Sequence, residues 1–142
     1  MKTILALLLI FAAFNGHCQA VKRITYSDSS MGGVAKVIIT KDSIKGELKN
    51  TRKKIIIKEK TQKKYWDRLV RSFSIAEFEK VGQKKPEPQT DGNVTYVSIE
   101  TKEQTYSVRD AYIDPVANKS VYNFQMIIRE KFTEVYEKNK GK

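Results

Sequence analysis

One Cys and one His occur in 142 residues. A single Cys cannot close an intramolecular disulfide, and one Cys with one His falls short of the four ligands of a structural zinc site. Long apolar runs are also missing. The longest, Ile4 to Phe14, is well below the roughly 20 residues that a membrane-spanning helix needs. Acidic residues are scarce, 16 Asp+Glu against 27 Lys+Arg for a formal charge of +11. They form no dense Asp/Asn loop of the EF-hand kind, which leaves no calcium site to nominate. No phosphate-loop pattern is present, and no S-x-x-K motif follows residue 20. A cofactor is therefore not expected.

The first 20 residues read as an address. Lys2 gives a positive start, an apolar run of signal-peptide length follows, and Asn15-Gly16-His17 breaks it. Ala20, with Cys18 two places before it, makes a small-x-small site, so cleavage is expected between Ala20 and Val21 and the mature chain is expected to be periplasmic or secreted. A lipid anchor on Cys18 is the lesser alternative, because the preceding His17 is not small. Cleavage removes both His17 and Cys18. The mature chain then lacks thiol nucleophiles, disulfides and every imidazole role.

Hydrophobic content of 40%, with 10% aromatic, is enough to bury a core, and the length suits one domain. Alternation over 23–27, β-branched residues over 34–40, and shorter runs over 44–49 and 54–60 predict four strands. On the last, Ile55 and Ile57 share one face, and Lys54, Ile56, Lys58 and Lys60 share the other. Tyr65, Trp66, Leu69, Val70 and Phe73 then recur at helical spacing, with Thr61 as the expected N-cap. Ser74-Ile75-Ala76-Glu77 has the form of a capping box and predicts a short second helical turn. A loop over 82–92 carries Pro86, Pro88 and Asp91-Gly92. A hairpin over 93–111 turns at Lys102-Glu103. Val121, Phe124, Ile127, Ile128, Phe132 and Val135 mark a final helix of about five turns. The expectation is an α+β domain over 21–137, β-β-β-β-α-β-β-α, with about six antiparallel strands and two main helices on one face. Residues 138–142 are expected to fray as a basic tail.

Charge is concentrated. Lys49, Arg52, Lys53, Lys54, Lys58, Lys60, Lys63 and Lys64 stand against Glu59 alone, and Arg68 and Arg71 continue along the helix. Such a patch attracts phosphates, acidic glycans or an acidic protein surface. A solvated edge that deters strand pairing is the plainer reading of the same lysines. Export argues against nucleic acid as the partner, and no aromatic-basic RNA motif is present. Asp91, Glu100, Asp110 and Asp114 are the carboxylates nearest to a catalytic nomination, without a paired constellation among them. Trp66 with Tyr65 reads as core before it reads as a ligand platform.

Ile24-Thr25-Tyr26-Ser27, Lys41-Asp42-Ser43-Ile44, Trp66 with Leu69, Asp91-Gly92 before a hairpin, and the closing amphipathic helix resemble a functionally uncharacterised family of small exported proteins of Bacteroidota. The resemblance covers most of Val21 to Phe132. The element order, with Gly32-Gly33 after the first strand, is also similar to emfourin-type inhibitors of thermolysin-like metallopeptidases. That similarity implies a protein that blocks a peptidase cleft with a loop or strand, and it carries over no inhibitory residue; Ser29, Ser30, Met31, Gly32, Gly33 and Val34 are this chain's own candidate contact loop. The leading expectation is an exported, non-enzymatic binding module that contacts an unknown protein or acidic polymer through the basic 49–71 stretch. A metallopeptidase inhibitor is the alternative.

Overall fold

Alternating apolar and polar residues build six strands, because successive side chains on a strand point to opposite faces. The computed structural model describes residues 21–30, 32–50, 52–83 and 94–138. Its strands are β1 (Val21–Ser30), β2 (Gly33–Ile39), β3 (Ser43–Asn50), β4 (Lys54–Lys60), β5 (Val94–Thr101) and β6 (Thr105–Arg109). All neighbours run antiparallel, in the order β4-β3-β2-β1-β5-β6. Helices α1 (Lys63–Arg71), α2 (Ile75–Gly82) and α3 (Lys119–Glu137) and a 3-10 turn, Asp110–Tyr112, complete the fold. The α+β class, the six strands and the one-sided helix layer are as expected. The expected leader with Ala20, the tip residue Met31, nearly all of the 82–92 loop, and the tail beyond Lys138 lie outside the described residues.

Register explains the one-sided layer. Ile57, Gly46, Val37, Tyr26, Val97 and Val108 are successive cross-strand partners over all six strands. Ile44, Ile39, Ile24, Ile99 and Tyr106 form the next row. These two rows make one apolar surface, on which Trp66, Leu69 and Val70 of α1, Phe78 and Val81 of α2, and Val121, Phe124, Ile127, Ile128 and Val135 of α3 are buried. Each fully buried large side chain contributes about 1.5–3 kcal/mol relative to exposure. Phe124 stands between Phe73 and Phe78 with ring centroids 4.5 and 6.0 Å away, which ties α3 to α2 and to the connection between α1 and α2. Gly46 lets α3 approach the sheet: a Cβ there would stand 2.9 Å from Val135 Cγ1.

Local details depart from the sequence reading. β1 runs from Val21 to Ser30 rather than 23–27, because it pairs on both sides with long partners. Thr61 is not the N-cap of α1. Gln62 holds that position without a side-chain bond. Thr61 is buried, and its Oγ1 donates to the Thr40 carbonyl at 2.8 Å while its N–H donates to the Asp42 carbonyl at 3.2 Å. A buried hydroxyl goes where a backbone acceptor is otherwise unmet, here at the β2–β3 turn. The short second turn is a two-turn helix, α2, with Ser74 at its N-cap, but Ser74 makes no side-chain cap bond. The Glu77 carboxylate instead accepts a hydrogen bond from the Ser120 hydroxyl of α3.

Candidate functional site

Among the described residues, the other face of the sheet carries no helix. Three rows of directly paired residues cross it: Lys58–Lys45–Ile38–Thr25–Ser98–Ser107, Ile56–Glu47–Lys36–Ser27–Tyr96–Arg109 and Lys54–Lys49–Val34–Ser29–Val94. The five lysines of these rows lie on β2, β3 and β4, Arg109 stands apart on β6, and Glu47 is the carboxylate among the lysines. Lys45 is ion-paired to Glu47. The hydrogen bond from Lys45 holds the Glu47 carboxyl below its ordinary pKa, with Lys54 and Lys36 adding to the effect. Val34, Ile56 and Tyr96, between 40 and 48% exposed, stand on the same face. It is a mixed surface of lysines and unburied apolar side chains.

The fold divides the basic stretch expected to act as one face. Lys49, Lys54 and Lys58 share the helix-free surface with Lys60 at its end. Arg52 and Lys53 sit in the β3–β4 turn. Lys63, Lys64, Arg68 and Arg71 belong to α1, which packs on the opposite side of the sheet. Lys63 is occupied by Asp67 at 2.6 Å, and this hydrogen bond holds the Asp67 carboxyl below its usual range. Lys36 and Lys45 were absent from the sequence-derived set and belong to the surface. The signal was their alternation with Val37 and Ile44, but cross-strand register was needed to bring them beside Lys58 and Lys49.

The expected contact loop also has a definite place. Ser30, Gly32, Gly33 and Val34 line a notch of about 230 Å³ with Lys49, Asn50 and Lys53. The β1–β2 and β3–β4 hairpins end on the same side of the sheet, so their tips make its walls. Ser29 is already in the ladder, paired with Val34. Gly33 has φ +153°, and a Cβ on it would stand 2.3 Å from the Lys49 carbonyl oxygen, so the close approach of the hairpins requires glycine. Asn50 Oδ1 accepts from the N–H groups of Arg52 at 2.9 Å and Lys53 at 2.7 Å, which sets the turn.

A second cleft, of about 330 Å³, opens between β4, α1 and α3 and includes Glu59, Tyr65, Arg68, Lys131 and Glu134. Lys131 Nζ lies 2.6 Å from Glu59 and 3.0 Å from Glu134, and 5.9 Å from the Tyr65 ring centre. Burial pulls the Lys131 pKa down, but its two carboxylate partners more than offset this and leave it raised. Burial pushes the Tyr65 phenol up.

The nominated carboxylates have structural partners. Asp110 accepts from the amide of buried Gln125, Glu100 pairs with Arg23, and Asp114 Oδ1 accepts from the N–H groups of Val116 and Ala117. Asp91 lies outside the described residues. Trp66 is core. Among the described residues, no group of three or more His, Cys, Asp or Glu could hold a metal ion, and no helix is long and apolar enough to cross a membrane. No protein-family model matches the chain, and no curated protein matches it.

Proposed function

We propose that the protein is an exported, non-enzymatic binding module that takes an acidic partner on the lysine-rich half of its helix-free sheet face. One observation carries this reading: Lys36, Lys45, Lys49, Lys54 and Lys58 converge on one surface from three strands, with Glu47 as the sole carboxylate in their rows. Lysines only needed for solubility have no reason to stand opposite one another, where like charges repel. Export rests on the leader-like residues 1–20 and agrees with a chain that keeps no His or Cys after residue 20. The test is retention on heparin and on an acidic polypeptide resin. Elution is expected at a salt concentration that drops sharply when Lys45, Lys49, Lys54 and Lys58 are all changed to Gln, since screening weakens a charge-driven contact. Retention that ignores salt, or that the fourfold variant keeps in full, overturns the reading.

A second reading is inhibition of a secreted metallopeptidase by the β1–β2 tip. The notch favours it, because Gly33 holds the tip against the β3–β4 turn and so presets its shape. Preset loops lose less entropy on binding. Full activity of a thermolysin-type enzyme on a peptide reporter, with the protein in micromolar excess, would end this reading.

A further inference from the structure

We infer that β4 is a strand-addition edge: it takes an extended acidic segment of another protein as a seventh strand. This rests on the acidic-partner reading and names the partner's form. The sheet has two edges, and they differ. β6 is five residues long, and α2 closes on it, with Gly82 so near that a Cβ would stand 3.1 Å from the Ser107 carbonyl oxygen. β4 is seven residues long, pairs among the described strands only with β3, and is regular over its whole length. Its outer row of N–H and C=O groups is a template for another strand.

The side chains of β4 specify which strand. Lys54-Ile55-Ile56-Ile57-Lys58 is symmetric in charge, so a segment running in either direction meets the same pattern. Lys54 and Lys58 face lysines on β3, at Lys49 and Lys45, while Ile56 faces Glu47. Neither Lys54 nor Lys58 therefore has a carboxylate directly opposite it in the sheet. A neighbour on the outer side with acidic residues opposite Lys54 and Lys58 and apolar ones between meets both charges and covers Ile56, which is 48% exposed. The same lysines repel the competitors. A second copy of the chain paired through β4 would set Lys54 and Lys58 against each other's counterparts, and a neutral strand would leave both charges unmet. Edge lysines thus act as a filter that admits acidic strands and rejects the rest.

The test uses a fluorescent peptide with Glu-Ile-Val-Ile-Glu between Gly-Ser flanks, titrated with the full protein and read by anisotropy. Two backbone-methylated forms are compared with it: one N-methylated at the three odd positions, the other at the two even ones. A strand presents alternate N–H groups to its neighbour, so one methylated form is expected to lose at least about tenfold in affinity and the other to stay near the parent. The protein variant Lys54→Glu with Lys58→Glu is expected to lose the acidic peptide and gain the Lys-Ile-Val-Ile-Lys analogue. If both methylated forms bind as the parent does, strand addition is overturned and the acidic-partner reading stands. If the parent peptide fails while an acidic resin still retains the protein, strand addition is likewise overturned. If neither binds, both proposals fall.

Discussion

Lys58 on β4 stands directly opposite Lys45 on β3, and one row away Lys54 stands opposite Lys49. Like charges in directly paired positions cost about 0.2–1 kcal/mol per pair. Lys45 is relieved by Glu47 along its own strand, whereas Lys49, Lys54 and Lys58 form no ion pair among the described residues. The helix-free face thus carries local destabilisation that a mixed-charge surface would lack.

Stability and binding should therefore move in opposite directions at Lys58. Lys58→Glu places a carboxylate opposite Lys45, and urea unfolding is expected to show a gain of about 0.5 kcal/mol. The same change is expected to lower retention on heparin. If Lys58→Glu weakens the fold and leaves retention unaltered, the lysine row has no tie to a partner.

At the hairpin end, Gly33→Ala is expected to cost about 1–3 kcal/mol. A Cβ would stand 2.3 Å from the Lys49 carbonyl oxygen, and the neighbour is backbone, which yields little. Gly32→Ala is the control, because its nearest neighbour, Ser30 Oγ, is 3.8 Å away. Equal midpoints for the two variants in urea would show that the two hairpin tips do not meet as described.

These contrasts show what the sequence holds and what it does not. Alternation placed Ile55 and Ile57 on one face of β4 and Lys54, Ile56 and Lys58 on the other, and the α3 stripe from Val121 to Val135 was visible at helical spacing. Gln125 was not: it is polar, yet buried inside that stripe because Asp110, from another part of the chain, accepts its amide. Thr61 and Glu77 look like cap residues over a window of four, but their partners, Thr40 and Ser120, are remote. The site was half legible for the same reason. Lysine density along the chain picked out Lys49 to Arg71, whereas register in space joins Lys36 and Lys45 to the surface and sends Arg68 and Arg71 to the far side.

Lys131 fastens α3 to the edge strand through Glu59. Its side chain is 15% exposed and that of Glu59 28%, so removing the cation leaves a carboxylate largely out of water without its partner. Lys131→Met is expected to cost about 1–2 kcal/mol, below the range for a fully buried pair. Adding Glu59→Gln should restore part of the loss, because no bare charge then remains. A double variant no more stable than Lys131→Met in urea would mean the two side chains do not act together.

The same network sets the pH limits of stability. Lys138 and Lys131 hold the Glu134 carboxyl below its ordinary value of 4.5. A depressed carboxylate contributes stability above the unfolded pKa and loses it as pH falls through the folded one. Lys131 is shifted the other way, above 10.5, so its contribution is complete below that value and is lost as pH rises through the raised one. The raised pKa values of Tyr65 and Tyr26, which burial causes, act in the same direction in alkali. Stability measured by urea midpoint is therefore expected to be flat across neutral pH, to fall below about pH 4.5 and to fall again above about pH 10. Glu134→Gln is expected to make the acid limb shallower, since Glu47 still contributes there, and to leave the Tyr65 and Tyr26 part of the alkaline limb in place. An acid limb of the same slope in Glu134→Gln as in the parent would show that Glu134 is not held by Lys131 and Lys138.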